Sequence, residues 1–129
     1  MNTNPYIKYQ QATVQTASGP QLLLMLYDGA IKFVRLGIEG IQQKSIEKSN
    51  TNLLKAQLIV HELIAALNYD YAVSKNLVLL YEYMIHQLIQ ANIRKNEKLA
   101  QEVLGYLVDL KETWADAYKR PVTEGASQG

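Results

Sequence analysis

Apolar side chains recur at alternating three- and four-residue spacings over four long stretches of the chain, the period of a helix that buries one face. Over Leu22 to Ile41 the stripe is Leu24, Tyr27, Ile31, Val34, Ile38 and Ile41. A second stripe, Leu23, Leu26, Ala30, Phe33 and Gly37, runs beside it, leaving Asp28, Lys32, Arg35, Glu39 and Gln42 as a thin solvated strip. A surface helix in a small domain shows one apolar stripe, roughly 100° wide or a little more. Two stripes mean a helix covered on most sides, or a surface kept for a partner.

The punctuation between stretches sets the elements. Ser18 and Gln21 form a capping-box pattern and Pro20 falls in the first turn, so the first helix starts there and runs to about Ile41. Gly29, Gly37 and Gly40 inside it each cost about 1 kcal/mol relative to Ala, so their expected use is close approach of a neighbouring backbone. A second helix is predicted over about Ile46–Leu67, with Ile46, Leu53, Ala56, Val60, Leu63 and Leu67 as its seam and Ser49 as the polar residue within it. A third covers about Ser74–Arg94 on Leu77, Tyr81, Met84, Leu88 and Ala91. The fourth covers about Glu97–Lys119, turning Ala100, Val103, Leu107, Leu110, Trp114 and Ala117 inward and Lys98, Glu102, Asp109, Glu112, Asp116 and Lys119 to water.

Helices of about 22 residues are roughly 33 Å long, and short connections force successive ones antiparallel. The expected fold is all-α, an up-down-up-down four-helix bundle over residues 18–119. An N-terminal arm (1–17) precedes it and a flexible tail (120–129) follows.

Helices two and three carry more apolar groups than such a core uses. Leu54, Leu58 and Ala65 lie off the seam of the second, and Leu79, Tyr83, Ile89 and Ile93 off that of the third, where Lys or Glu is expected. In the arm, Pro5 opposes a helix, and Tyr6, Ile7 and Tyr9 are large groups to leave on a free end. They are read as packing onto an apolar groove.

Composition narrows the function. The 129 residues suffice for one domain, and 48% hydrophobic with 19% charged residues is ordinary for a folded protein. A net charge of +1 with no basic block excludes the pattern that tracks a phosphate backbone, so no nucleic acid partner is expected. There is no cysteine, which removes disulfides and thiolate chemistry. The N-terminus lacks a signal-peptide core and no run of about 18 apolar residues spans a membrane, so the expected location is the cytoplasm. Nine Tyr against one Phe and one Trp is unusual, and suits half-wet interfaces.

Catalytic chemistry is missing. His61-Glu62 begins like a helical zinc motif, but Ala65 stands where the second His belongs. His86 follows Glu82 by four residues, not the three of a di-iron bundle. His61, followed by Glu-Leu-Ile-Ala, lacks the surroundings of a phosphotransfer histidine, and no Gly-rich phosphate loop exists. The reading is a binding protein with no cofactor and no metal.

Several runs carry a resemblance. Asn4-Pro5-Tyr6-x-x-Tyr9-Gln10, Thr16-Ala17-Ser18 and Met25-Leu26-Tyr27-Asp28-Gly29 open the chain. Lys55-Ala56-Gln57, Glu62-Leu63, Leu67-Asn68, Leu80-Tyr81-x-Tyr83, Leu88-x-x-Ala91-Asn92 and Trp114 follow. Over residues 4 to about 118 the chain resembles the FliS family of flagellin export chaperones. It departs in having Gly19 before Pro20, and Lys111 where the family commonly has Arg. The resemblance implies an ATP-independent cytosolic chaperone that binds the disordered C-terminal segment of flagellin, prevents premature polymerisation and, when loaded, meets the flagellar type III export gate. It also implies an arm that covers part of the client site. On this reading the partner-binding residues are Tyr6, Ile7, Tyr9, Leu54, Leu58, Leu79, Tyr83 and Ile89. The competing expectations are a homodimer built on the surplus stripes, and a regulatory adaptor that sequesters another flagellar factor.

Overall fold

The structure, a computed structural model, describes residues 19–119. The Ser18 cap, the arm with Tyr6, Ile7 and Tyr9, and the tail 120–129 lie outside the described residues. Four helices follow one another: α1 (Gly19–Gln42), α2 (Ile46–Ala65), α3 (Val73–Arg94) and α4 (Glu97–Lys119). Each packs on the next and α4 packs back on α1, which closes an antiparallel bundle. No strand occurs among the described residues. The expected all-α architecture is what forms.

The double stripe of α1 is used for burial. Tyr27, Ile31, Val34 and Ile38 from one stripe and Leu26, Ala30, Phe33 and Gly37 from the other are all buried, whereas Leu24 is half-exposed. The glycines explain how two stripes fit. A Cβ at Gly37 would lie 2.5 Å from Leu53 Cδ2, and one at Gly40 would lie 2.6 Å from the backbone N of Ser49. α1 and α2 therefore meet backbone to backbone at that end, as the sequence suggested for these two positions.

The same end is closed by polar contacts. α1 stops in a Schellman turn, with Ser45 N–H donating to the Gly40 carbonyl at 2.8 Å and Lys44 in the left-handed region at φ 57°. Ser45 Oγ then caps α2 by accepting from Lys48 N–H at 3.2 Å. α3 stops the same way on Lys95 at φ 51°, with Asn96 N–H donating to the Ala91 carbonyl. From there the Lys95 ammonium donates to Ser49 Oγ, Asn50 Oδ1 and Asn92 Oδ1 at 2.7–2.8 Å. Ser49, fully buried, is thereby satisfied, since its own hydroxyl donates to the Ile46 carbonyl. Desolvation pushes the Lys95 pKa below its ordinary value, because every acceptor is neutral.

Three seam assignments change. Ile46 is 67% exposed, because it opens α2 ahead of the level at which Ser49 and Leu53 enter the core. α2 ends at Ala65, and Leu67 lies past it, half-buried, where Leu67 N–H bonds the Ile64 carbonyl in a tight final turn. Ala117 is exposed, as α4's core stripe gives out after Leu107 into the half-buried Leu110 and Trp114.

Candidate partner-binding surface

Five of the partner-binding residues expected from sequence are described, and all are exposed. Leu54 and Leu58, one turn apart on α2, are each 51% exposed, and Leu79 on α3 is 65% exposed. Tyr83 and Ile89 are exposed less, with Ile93 beyond them exposed most of all. Helix geometry divides them into two surfaces. Tyr83 leans to α4: its hydroxyl donates to Glu102 at 2.9 Å and its ring meets Tyr106 edge-on, centroids 6.4 Å apart. Gln87 also donates to Glu102. Glu102, expected in water, is a half-buried acceptor instead. Accepting from Tyr83 holds that phenol's pKa above its ordinary value. Ile89 follows Tyr83 by six residues at about 100° each, which puts it about 120° away across the buried stripe of α3, so it faces the α2 side. Leu79, Tyr83 and Tyr106 thus belong to the α3/α4 surface, and Leu54, Leu58 and Ile89 to the α2/α3 surface.

A third feature was not legible as a site. Where α1 begins, α2 and α4 end and α3 starts, a groove of about 410 Å³ opens, lined mainly by apolar and aromatic groups that include Leu23, Leu67, Tyr71, Leu77, Trp114 and Tyr118. One wall is the α2–α3 connection. There Asn68 Oδ1 accepts from Asp70 N–H at 2.9 Å and Ser74 Oγ donates to the Asn68 carbonyl at 2.6 Å, which fixes Tyr71 and Val73 at the rim. Trp114 stacks on Tyr118, centroids 6.1 Å apart. The excess of tyrosine was the available signal, since Tyr71, Tyr81 and Tyr118 all line this groove.

The Met25-Leu26-Tyr27-Asp28-Gly29 run sits directly behind it. Tyr27, wholly buried, shares a hydrogen bond with the Tyr81 hydroxyl across the bundle, and accepts from Trp114 Nε1 at 3.2 Å. Its neighbour Asp28 faces out and pairs with Lys111 of α4 at 2.5 Å. A lysine there gives one ammonium contact, without the two-pronged geometry of an arginine. The motif therefore ties α1 to α3 and α4 at the groove end. Among the described residues no group of His, Asp and Glu is placed to hold a metal ion, and no helix is long and apolar enough to cross a membrane.

Comparison with known proteins agrees with this arrangement of motif and fold. The family model described as flagellar protein FliS matches residues 2–121. A curated relative from Bacillus subtilis (strain 168), the flagellar secretion chaperone FliS, is 42% identical over 114 residues, which is 88% of this chain and 86% of that protein. The flagellar secretion chaperone FliS of Salmonella typhimurium is 34% identical, over 81% of this chain and 79% of its own. That of Escherichia coli (strain K12) is 27% identical, over 86% and 84%. A bundle with apolar surfaces, a family model spanning almost all of it, and relatives matched along most of their length lead to one conclusion: this chain belongs to the FliS family, a family of flagellar secretion chaperones and not of enzymes.

Proposed function

We propose that this protein is a cytoplasmic, ATP-independent chaperone that binds the disordered C-terminal segment of flagellin, holds it from premature polymerisation and presents it to the flagellar type III export gate. The observation that carries the reading is the set of large apolar groups left in solvent on α2 and α3: Leu54, Leu58, Leu79 and Ile93 are each more than half exposed. An amphipathic client helix has apolar groups at the same three- and four-residue spacing, and can lay them along such a face. Burial at roughly 25 cal/mol per Å² offsets the ordering of a disordered segment without a nucleotide. Tyr6, Ile7 and Tyr9 would cover part of that face until the client displaces them.

Calorimetric titration with flagellin, and with flagellin lacking its C-terminal segment, tests the reading. Only the intact client should bind; equal binding of both, or of neither, would sink it. Leu58→Glu should weaken the complex about tenfold or more while the helical signal and melting temperature stay nearly constant, since Leu58 is half in water already. Unfolding of that variant would assign Leu58 to the core instead. A dimer that survives dilution and ignores flagellin would replace the chaperone reading with self-association.

A further inference from the structure

The solvated strip of α1 holds two couples of opposite charge at the spacing of an intrahelical pair, Asp28 with Lys32 and Arg35 with Glu39. Neither couple pairs. Asp28 is taken by Lys111 of α4 and Glu39 by Lys48 of α2, contacts that tie the helices together. Lys32 and Arg35 are left exposed, with no carboxylate partner among the described residues. Lys55 of α2 lies beside them. Its ammonium and that of Lys32 both sit over the Phe33 ring, 5.2 and 5.5 Å from the centre, so a neutral ring holds them and no anion does.

The opposite charge is carried on the same molecule, where this strip cannot reach it. Asp109 and Glu112 of α4 are exposed and pair with no cation among the described residues. α4 turns Glu97 and Lys111 to α1, through Gln42 and Asp28. Asp109 lies about 200° round the helix from Lys111, and Glu112 about 100°, so neither faces α1 of its own chain.

A third observation falls on the same side of α4. Gly105, one turn before Asp109, is exposed in the middle of the helix, where a glycine weakens it. Gly37 and Gly40 are explained by contact with α2, but a Cβ at Gly105 would meet nothing within 4 Å. Nothing among the described residues uses the missing side chain. A helix from outside can, because it lets a second backbone come close.

The two surfaces match in spacing as well as in charge. Lys32 and Arg35 are three residues apart, as are Asp109 and Glu112. Laid antiparallel, with Lys32 against Glu112 and Arg35 against Asp109, the helices bring half-exposed Leu36 level with Val108. That is the centre of the hole formed by Gly105, Val108, Asp109 and Glu112, which the glycine keeps open. A nucleic-acid backbone or a flat anionic membrane suits the strip less. Either would also meet Asp28 and Glu39, whose side chains are 57% and 50% exposed.

We propose that this protein associates with itself, the Lys32–Arg35 face of one copy seated on the Gly105–Glu112 face of another. The contact uses none of the apolar groups assigned to the client. α3, which carries most of those, lies diagonally across the bundle from α1. The inference therefore goes beyond the flagellin-binding reading and does not rest on it. Exposed ion pairs each add little and are screened by salt. The association is accordingly weak and reversible, unlike a dimer built on the apolar faces.

Sedimentation equilibrium of the full chain, up to about 1 mM protein in about 20 mM and about 300 mM salt, gives the test. Wild type should exceed the monomer mass in low salt and return to it in high salt. Lys32→Glu with Arg35→Glu should weaken association at least tenfold, and so should Asp109→Lys with Glu112→Lys. Melting of both double variants should stay close to wild type, because all four side chains are exposed. Mixed in equal amounts, the two variants should associate again, since each then offers the charge the other lacks. Gly105→Gln should melt higher yet associate about tenfold more weakly, because it strengthens the helix and fills the hole. A wild type that stays monomeric in low salt would overturn the proposal and leave the strip to an acidic partner of another kind. A mixture of the two folded variants that stays monomeric would overturn it as well. Association that survives both reversals and is lost on Leu58→Glu belongs to the apolar faces, which also sinks it.

Discussion

The two ends of the bundle are built on opposite plans. At the Lys95 end the chain is drawn tight. Gly40 lets α1 touch α2 at the backbone, the Lys95 ammonium joins Ser49, Asn50 and Asn92, and Gln42 donates to Glu97 at 3.0 Å to link α1 with α4. Lys48 pairs with Glu39 at 2.6 Å, which lowers the Glu39 pKa by hydrogen bonding and charge. At the Trp114 end the helices are held apart by large aromatic groups, and a groove of about 410 Å³ remains between them. Small residues and satisfied polar groups make the first end rigid. Rings around an apolar groove leave the second end open. The first end is a scaffold with its polar groups satisfied, and the second leaves apolar and aromatic surface uncovered among the described residues.

The contrast is tested most severely at Gly40. A methyl group there would lie 2.6 Å from Ser49 N and 3.0 Å from Lys48 C, both backbone atoms that cannot rotate away. Gly40→Ala should therefore destabilise by about 2–3 kcal/mol, the range for overpacking, and lower the melting temperature by roughly 10 °C or more. Tyr71→Ala at the groove rim removes a much larger group, but one 65% exposed, and should change stability by about 0.5 kcal/mol or less. A chain in which Tyr71→Ala melts lower than Gly40→Ala has its rigid and receptive ends the other way round.

Alkaline pH acts on the receptive end. Burial raises the pKa of both Tyr27 and Tyr81, while in the unfolded chain each ionises near 10.0. Above that pH the unfolded state has released protons that the folded state keeps, so stability present below pH 10 is lost as pH rises through it. Each tyrosine contributes a slope of up to about 1.4 kcal/mol per pH unit. Lys95 works in the opposite sense, because its lowered pKa means that its desolvation penalty disappears as it deprotonates; the two tyrosines outweigh it. Melting followed from pH 8 to 11, with tyrosinate absorbance, should show stability falling steeply above pH 10 and the two rings ionising only on unfolding. A flat profile would mean that the hydroxyl pair is not held in the core.

Periodicity made the faces of this bundle legible but not its ends. The buried sets of α3 and the bounds of α4 follow from spacing alone, and Gly37 and Gly40 announced the close α1/α2 contact because a glycine in mid-helix is costly without one. Leu54, Leu58, Leu79, Tyr83 and Ile89 could be read as outward because the inward positions were already filled. Which neighbour each leans to could not. Tyr83 turns to α4 only because Glu102 and Tyr106 arrive beside it, nineteen residues and more along the chain. The groove was hidden for the same reason. Leu23, Leu67, Tyr71, Trp114 and Tyr118 come from three different segments, so no single stripe joins them. Ile46 and Ala117 fit their stripes and still lie in water, because a stripe does not say where a neighbour's helix stops.

The smallest expected effect isolates what the ammonium adds to the rigid end. Lys44 and Lys95 occupy the same left-handed position after α1 and α3, at φ 57° and 51°. A residue with a Cβ is strained there by about 1–2 kcal/mol, and glycine is not. Lys44 is exposed, so Lys44→Gly should gain part of that strain back, about 0.5–1 kcal/mol after the added freedom of the unfolded chain is counted. Lys95→Gly gains the same from the backbone but leaves Ser49, Asn50 and Asn92 without their shared donor. Each lost bond to the charged group outweighs that gain. Denaturant melts of the pair should thus move in opposite directions, Lys44→Gly up and Lys95→Gly down. Equal stabilisation by both would mean that the ammonium contributes nothing net, and that close backbone packing at Gly40 alone makes this end the rigid one.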